Sequence, residues 1–222
     1  MKKALSIILI VILFLLPSCG GRNDYYTVGG ETFEVCRGSS GSIILNDAGE
    51  LSVYVLTENR RRMKDETGED ITAYIPFDGS IINGRNVETP DMSFTLPEGF
   101  SLSGSDPGVY VSPDSGGEIF IELFDSRTAQ SLINEALSES ERLLESYGAE
   151  NFSYKQYTIL TSDDLTATAV MRRSTSSEYF VTSHLYFTDT PKGAYRITCN
   201  TRSDSRKSFD SFIKSIRFAA DS

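Results

Sequence analysis

His184 is the only histidine of the chain and stands in "EYFVTSHLYF", a stretch that alternates like a strand. A single histidine excludes multi-histidine metal centres and H-E-x-x-H zinc chemistry. A Ser-His-Asp triad needs a positioned serine, yet no G-x-S-x-G elbow exists and serines are too common for a neighbour to signify. Alternation places Tyr179, Val181, Leu185 and Phe187 on one face and Phe180, Thr182, His184 and Tyr186 on the other. His184 is therefore expected as a surface or groove residue. The acidic runs Asp65–Asp70 and Asp163-Asp164 offer oxygen ligands without EF-hand spacing, so they read as solvated turns and no metal is expected. A glycosidase-like carboxylate pair is defined by distance in space, which 31 acidic residues in a sequence do not specify. "RGSSGS" and "DSGGE" have the glycines of phosphate loops but lack G-x-x-x-x-G-K-[ST], and no cofactor is implied. Arg60, Arg61 and Arg62 are neutralised locally by Glu58, Asp65 and Glu66.

Cys36 and Cys199 leave two readings open. Outside the cytoplasm they can form a disulfide, whose long loop would restrict the unfolded chain by roughly 4–5 kcal/mol in the entropy model. Alternatively each is a buried thiol, since "YRITCNT" puts Cys199 on the face of Tyr195 and Ile197. Neither belongs to a CxxC or a Cys/His cluster. The candidate binding face consists of Tyr154, Phe180, His184 and Tyr186, with Tyr157 nearby in sequence. Left uncovered, it is a groove for a peptide, lipid or protein; covered by helices, it is core.

The elements that must position these groups begin with short β-like runs from "TFEVC" to "SIING", separated by turn signals at Asp47-Ala48-Gly49, Asp78-Gly79 and Asn83-Gly84. Residues 31–90 read as a small β-rich annex, in which "TENRRRMKDETGED" is a short helix or a long hairpin loop. A larger unit, 91–220, opens on the strand "DMSFTLPEGF" and continues with the antiparallel pair "GVYVSP" and "EIFIELF". Apolar residues Ala129, Leu132, Ile133, Ala136, Leu137, Leu143, Leu144 and Tyr147 fall on one stripe, predicting a helix over 127–147 capped by Ser126 and Gly148. A four-strand meander follows, then a second amphipathic helix over 204–216. The order implies an α+β fold: a mainly antiparallel twisted sheet with two helices packed on it, preceded by the annex. No internal repeat is evident.

The address is written in the first residues. Lys2 and Lys3 precede an apolar run, Ala4 to Leu16, that is too short to span a bilayer and has the length of a signal-peptide core. Leu16-Pro17-Ser18-Cys19 resembles the bacterial lipobox, with Pro17 where a smaller residue is usual. The resemblance implies a signal peptide at 1–18, diacylglyceryl attachment at Cys19, and a tether at 19–30 on the extracytoplasmic side of a bacterial membrane. Acyl chains contribute about 0.8 kcal/mol per buried methylene, enough to anchor a domain when two or more are present. The net charge of −10 argues against nucleic acid and against electrostatic adhesion to anionic lipid.

"SFTLPEGF", the helix after the first hairpins, the meander and the closing "SFDSFIKSIRF" resemble the PsbP-like and DcrB-like superfamily from Asp91 to about Phe218. That resemblance implies binding, assembly or chaperoning more than catalysis, and it carries no set of functional residues to this chain. The expected function is a membrane-anchored, non-enzymatic binding or assembly module of the cell envelope, partnered by the bilayer through acylated Cys19 and by an envelope protein or peptide. A carboxylate-based envelope hydrolase and a solute-capturing lipoprotein are the rival readings.

Overall fold

Alternating apolar residues and closely spaced turns dominate the described residues, which assemble into three antiparallel sheets with two helices, an α+β architecture. The computed structural model describes residues 24–28, 31–39, 41–103, 108–114, 116–175, 182–202 and 206–219. Strands β1 (Tyr25–Val28), β2 (Glu31–Val35), β3 (Leu51–Tyr54) and β4 (Thr72–Ile75) form the first sheet in that order. Its core is Tyr26, Val35, Leu51, Val53, Phe77 and Ile81. Ile81 opens the hairpin of β5 (Ile81–Asn83) and β6 (Asn86–Glu88), and β6 pairs with β7 (Met92–Thr95). The boundary expected at residue 90 therefore runs through one sheet, because backbone pairing from Asn86↔Thr95 to Glu88↔Ser93 ties annex to main unit.

The annex contains a repeat that sequence inspection passed over. At Gly38, Asn46, Thr57 and Asp65 the backbone N–H donates to the carbonyl four residues ahead, and the carbonyl accepts from the N–H three residues ahead. Each turn is flanked by one antiparallel bridge, Arg37↔Ile43, Leu45↔Leu51, Leu56↔Arg62 and Lys64↔Asp70. The fourth turn residue has positive φ in every copy: Gly41, Gly49, Arg60 and Gly68. The second pair of turns repeats the first at a shift of 19 residues, and Cys36, Ile44 and Ser52 correspond to Val55, Met63 and Ile71, whose amides bond one another in a closed ring. Thus "TENRRRMKDETGED" is neither helix nor long loop but two tight turns. Asn46 and Asp65 each receive two backbone N–H groups on the side-chain oxygen, which is why "NDAGE" and "DETGE" turn alike.

The main unit is a seven-stranded sheet built from β8 (Ser101–Leu102), β9 (Val109–Ser112), β10 (Gly117–Phe124), β11 (Phe152–Leu160), β12 (Thr166–Ser174), β13 (Thr182–Thr190) and β14 (Gly193–Thr201). The order is β11-β12-β13-β14-β10-β9-β8, so the expected meander is present and its last strand joins the earlier hairpin. Helix α1 (Ala129–Tyr147) carries the chain from β10 to the far edge and packs on one face. There Ala129, Leu132, Ile133 and Ala136 meet Val170, Leu185, Phe187 and Ala194. The helix starts two residues later than expected. Thr128, not Ser126, is its N-cap, and Asp189 of β13 accepts the Ala129 amide at 2.7 Å, a cap that comes from across the fold.

On the opposite face lie β7 and helix α2 (Arg206–Ser215), followed by β15 (Arg217–Phe218), which pairs with β7. Phe209, Phe212, Ile213 and Ile216 insert among Phe94, Tyr110, Ile119, Tyr186, Ile197 and Cys199. Complete burial of each such side chain contributes on the order of 1.5–3 kcal/mol. The sheet is therefore covered on both faces, so alternation along β13 divides residues between two cores rather than between core and water. Among the described residues no helix is long and apolar enough to cross a membrane.

Candidate functional site

The expected binding face does not exist as one surface. Across a ladder, paired residues share a face, and Tyr154 pairs with Arg172, which pairs with Ser183. That row faces α1, where Arg172 donates to Ser140 Oγ and to the Ala136 carbonyl. His184 and Tyr186 pair with Met171 and Ala169, and Ala169 pairs with Tyr157, placing this row under α2. Tyr157, not Tyr154, is thus the β11 aromatic beside Tyr186. The reason is register: the β11–β12 hairpin sets the parity, and an odd-numbered tyrosine meets an even-numbered one. Phe180 lies outside the described residues, as does Cys19.

His184 is 0 % exposed, which overturns its expected place on a surface or groove. Phe209 packs against its imidazole at 5.6 Å between ring centroids, and Tyr186 stacks on it at 6.1 Å. The hydroxyls of Tyr157 and Tyr186 converge on one acceptor, Asp210 Oδ1 of α2, at 2.8 and 2.9 Å. His184 Nδ1 lies 3.4 Å from Tyr157 Oη and 3.5 Å from Tyr186 Oη. Arg206, one turn before Asp210, donates from Nε to Asp210 Oδ2 at 3.3 Å and lies over the Tyr157 ring. Burial raises the Tyr157 phenol to about 12, with the Tyr186 hydroxyl opposing the shift and Asp210 reinforcing it. Burial also drives the Tyr186 phenol far up, and the Cys199 thiol with it, the charge of Asp210 adding to both. All three groups are held protonated at neutral pH. The assembly has the residue types of an acid–base site but the environment of a polar core cluster.

Cys36 and Cys199 are both buried free thiols, so the structure takes the second of their two readings. Cys199 lies in the main core and Cys36 at the end of β2. Among the described residues no group of three or more His, Cys, Asp or Glu side chains is arranged to hold a metal.

An open concavity lies elsewhere, between the annex sheet and the β5–β6 hairpin, where a cleft of about 500 Å³ is walled by charged side chains. Arg37 bridges Asp24, at 2.8 Å from Nε, and Glu88, at 2.7 Å from Nη1. Arg62 bridges Glu34, at 3.0 Å from Nε, and Asp70, at 3.0 Å from Nη1, and its guanidinium stacks on Tyr54 at 3.7 Å. Glu34 is only 3 % exposed, so Arg62 supplies the charge that makes its burial tolerable. Hydrogen bonds to Glu34 push the Arg62 pKa further up. For Arg37, burial acts downward and is outweighed by Glu88 and Asp24, so its net shift is also upward. Asn83 and Asn86 complete the wall. Arg62 is thus not neutralised by Glu58, Asp65 or Glu66, as its sequence neighbours suggested, but by Asp70 and by Glu34, which lies 28 residues away and is brought to it only by the sheet.

No protein-family model matches the chain, and no curated protein matches it. Among solved structures, one crystal structure from Bacteroides thetaiotaomicron VPI-5482, at 1.50 Å resolution, is similar to it with a TM-score of 0.41 and 18 % identity. The similarity covers 58 % of this chain and 45 % of that one, so the chain spans under half the length of that protein.

Proposed function

We propose that the chain is a lipid-anchored, extracytoplasmic binding module of the bacterial envelope, tethered through Cys19, whose main unit is PsbP-like or DcrB-like and whose partner is an envelope protein or peptide. The observation that carries the binding role is the charged cleft between the annex sheet and the β5–β6 hairpin. Its arginines and carboxylates are fixed by one another, so the cleft offers a preorganised pattern of both signs without paying side-chain ordering on contact. Such a pattern suits a polar, mixed-charge peptide segment. The acid–base groups, by contrast, are packed beneath α2 and bonded to one another, which favours binding over turnover.

The address and the binding role have separate tests. Cys19→Ser is expected to abolish palmitate labelling and to move the protein from the membrane to the soluble fraction. In-cell photo-crosslinking from Asn83 is expected to recover a discrete partner, and crosslinking from the exposed Tyr147 on α1 is not. Recovery of nothing from Asn83, together with hydrolysis of envelope polymer by the purified protein, would favour the hydrolase and reject this reading.

A further inference from the structure

The two edges of the seven-stranded sheet differ. One is β8, only Ser101–Leu102 long; the other is β11, which runs for nine residues from Phe152 to Leu160. Unpaired N–H and C=O groups invite another strand, so edges are commonly blunted by proline, a bulge, charge or shortness. Strand β11 has no proline or glycine, and its register with β12 is unbroken from Phe152↔Ser174 to Leu160↔Thr166. Lys155 is its one charged residue, so it carries no carboxylate in a chain of net charge −10. Ser153, Lys155, Gln156, Thr158 and Leu160 are all exposed.

Two hydrogen bonds fix which backbone groups of β11 face outward. Thr175 N donates to Asn151 O at 2.9 Å, and Thr161 N donates to Leu165 O at 3.0 Å. Bonded pairs recur every second residue, so the odd-numbered residues of β11 bond to β12 and the even-numbered ones point away from it. The outward series is closed at both ends. The Phe152 amide donates to the Gly148 carbonyl, and the Ser162 amide donates to the Ile216 carbonyl. Between these stops, Tyr154, Gln156, Thr158 and Leu160 have no backbone partner on the outer side among the described residues. The set is centred on Tyr157 and is its own antiparallel complement. Half a turn about Tyr157 sets Tyr154 against Leu160 and Gln156 against Thr158, as an isologous contact requires.

We infer that a second copy of this chain occupies the edge, β11 pairing antiparallel with β11 about a two-fold axis at Tyr157, so that one sheet runs through both copies. The pairing makes about eight main-chain hydrogen bonds, close to the roughly ten of a typical interface. Leu160, apolar yet 52 % exposed, gains Tyr154 of the second copy as its cross-strand neighbour. The two Lys155 positions fall about 14 Å apart, beyond the Debye length at physiological ionic strength, so this charge does not oppose pairing. A slip of two residues sets Leu160 against Phe152, or Tyr154 against Ser162, whose amides are already used. Self-association goes beyond the binding role and does not rest on it; it gathers two charged clefts into one assembly.

The test places cysteines in the full chain, at exposed positions that leave the fold intact. Gln156→Cys and Thr158→Cys on different copies face each other at about 5.5 Å between Cα atoms, within disulfide reach. Two copies of the same variant hold their cysteines about 9 Å apart, beyond that reach. Co-expressed and oxidised in the cell, the two variants should give a disulfide-linked band at twice the chain mass that reductant removes. Either variant alone should give no more of it than the wild type, which sets the background from Cys19, Cys36 and Cys199. Adding Leu160→Pro to both variants removes an outward amide, spares the ladder to β12, and should abolish the band while the protein stays folded. Should that proline unfold the chain, the cysteine pair decides alone. The absence of a band from the co-expressed pair, as when a strand of another protein covers the edge, would overturn the inference. So would equal bands from the single variants, or a band that survives Leu160→Pro in the folded protein. None of these outcomes touches the crosslinking test at Asn83, so the two readings fail separately.

Discussion

Removing the carboxylate of Asp210 isolates the role of the cluster beneath α2. In Asp210→Ala, Tyr186 Oη loses its acceptor at 2.9 Å, and the ring that carries it is 1 % exposed. The other polar atoms near it, Tyr157 Oη at 3.3 Å and His184 Nδ1 at 3.5 Å, are too distant to replace a charged acceptor. Hydrogen bonds to charged groups contribute about 1.5–3 kcal/mol each. The loss at Tyr186 should fall in that range, while Tyr157, half-buried, recovers part of its own from water. A total cost of about 3 kcal/mol is expected. Tyr186→Phe removes the donor and should cost about 1 kcal/mol, and in that background Asp210→Ala should cost about 1–2 kcal/mol less than in the wild type. Urea unfolding of the four proteins, with unchanged m-values, measures the coupling. Additivity within about 0.3 kcal/mol would refute the reasoning, because it would mean the two groups stabilise the fold independently.

Three further outcomes are expected. Stability should be flat to about pH 9 and fall above pH 10: the folded-state phenol of Tyr157 lies near 12 and those of Tyr186 and Tyr195 are raised too, so the unfolded chain, with phenols near 10, releases protons first. Phenolate absorbance should accordingly show a late class of tyrosines that titrates only with unfolding. Arg60 holds φ 56° where the equivalent turns have glycine at Gly41, Gly49 and Gly68, so Arg60→Gly should raise stability by about 0.5–1 kcal/mol, read as a higher urea midpoint. Cys36 and Cys199 should react with a thiol reagent only after denaturation and without prior reduction; a requirement for reductant would show that they pair.

Much of the scaffold is legible from local pattern. The helix stripe from Ala129 to Ala136, the strand of Met92, Phe94 and Leu96, the meander and the C-terminal helix each follow from side-chain periodicity, which the backbone imposes within a few residues. The annex repeat was also within reach, since "NDAGE" and "DETGE" stand 19 residues apart with the same capping residue types and the same glycine. It is hidden because the matching feature is a turn geometry, which very different residues between Arg60 and Lys64 can also adopt.

What the sequence by itself determined is local: α+β content, the two amphipathic helices and the turns. What only the tertiary structure decided is which faces are covered and which distant charges meet. Alternation along β13 separates Leu185 from His184 but cannot say that both sides are interior; that required α1 on one face and α2 on the other. The Tyr157–Tyr186–Asp210 cluster and the Glu34–Arg62 pair join residues 53, 24 and 28 positions apart. Such contacts depend on strand order and on the one-residue parity of register, and neither is encoded in the spacing of any single segment.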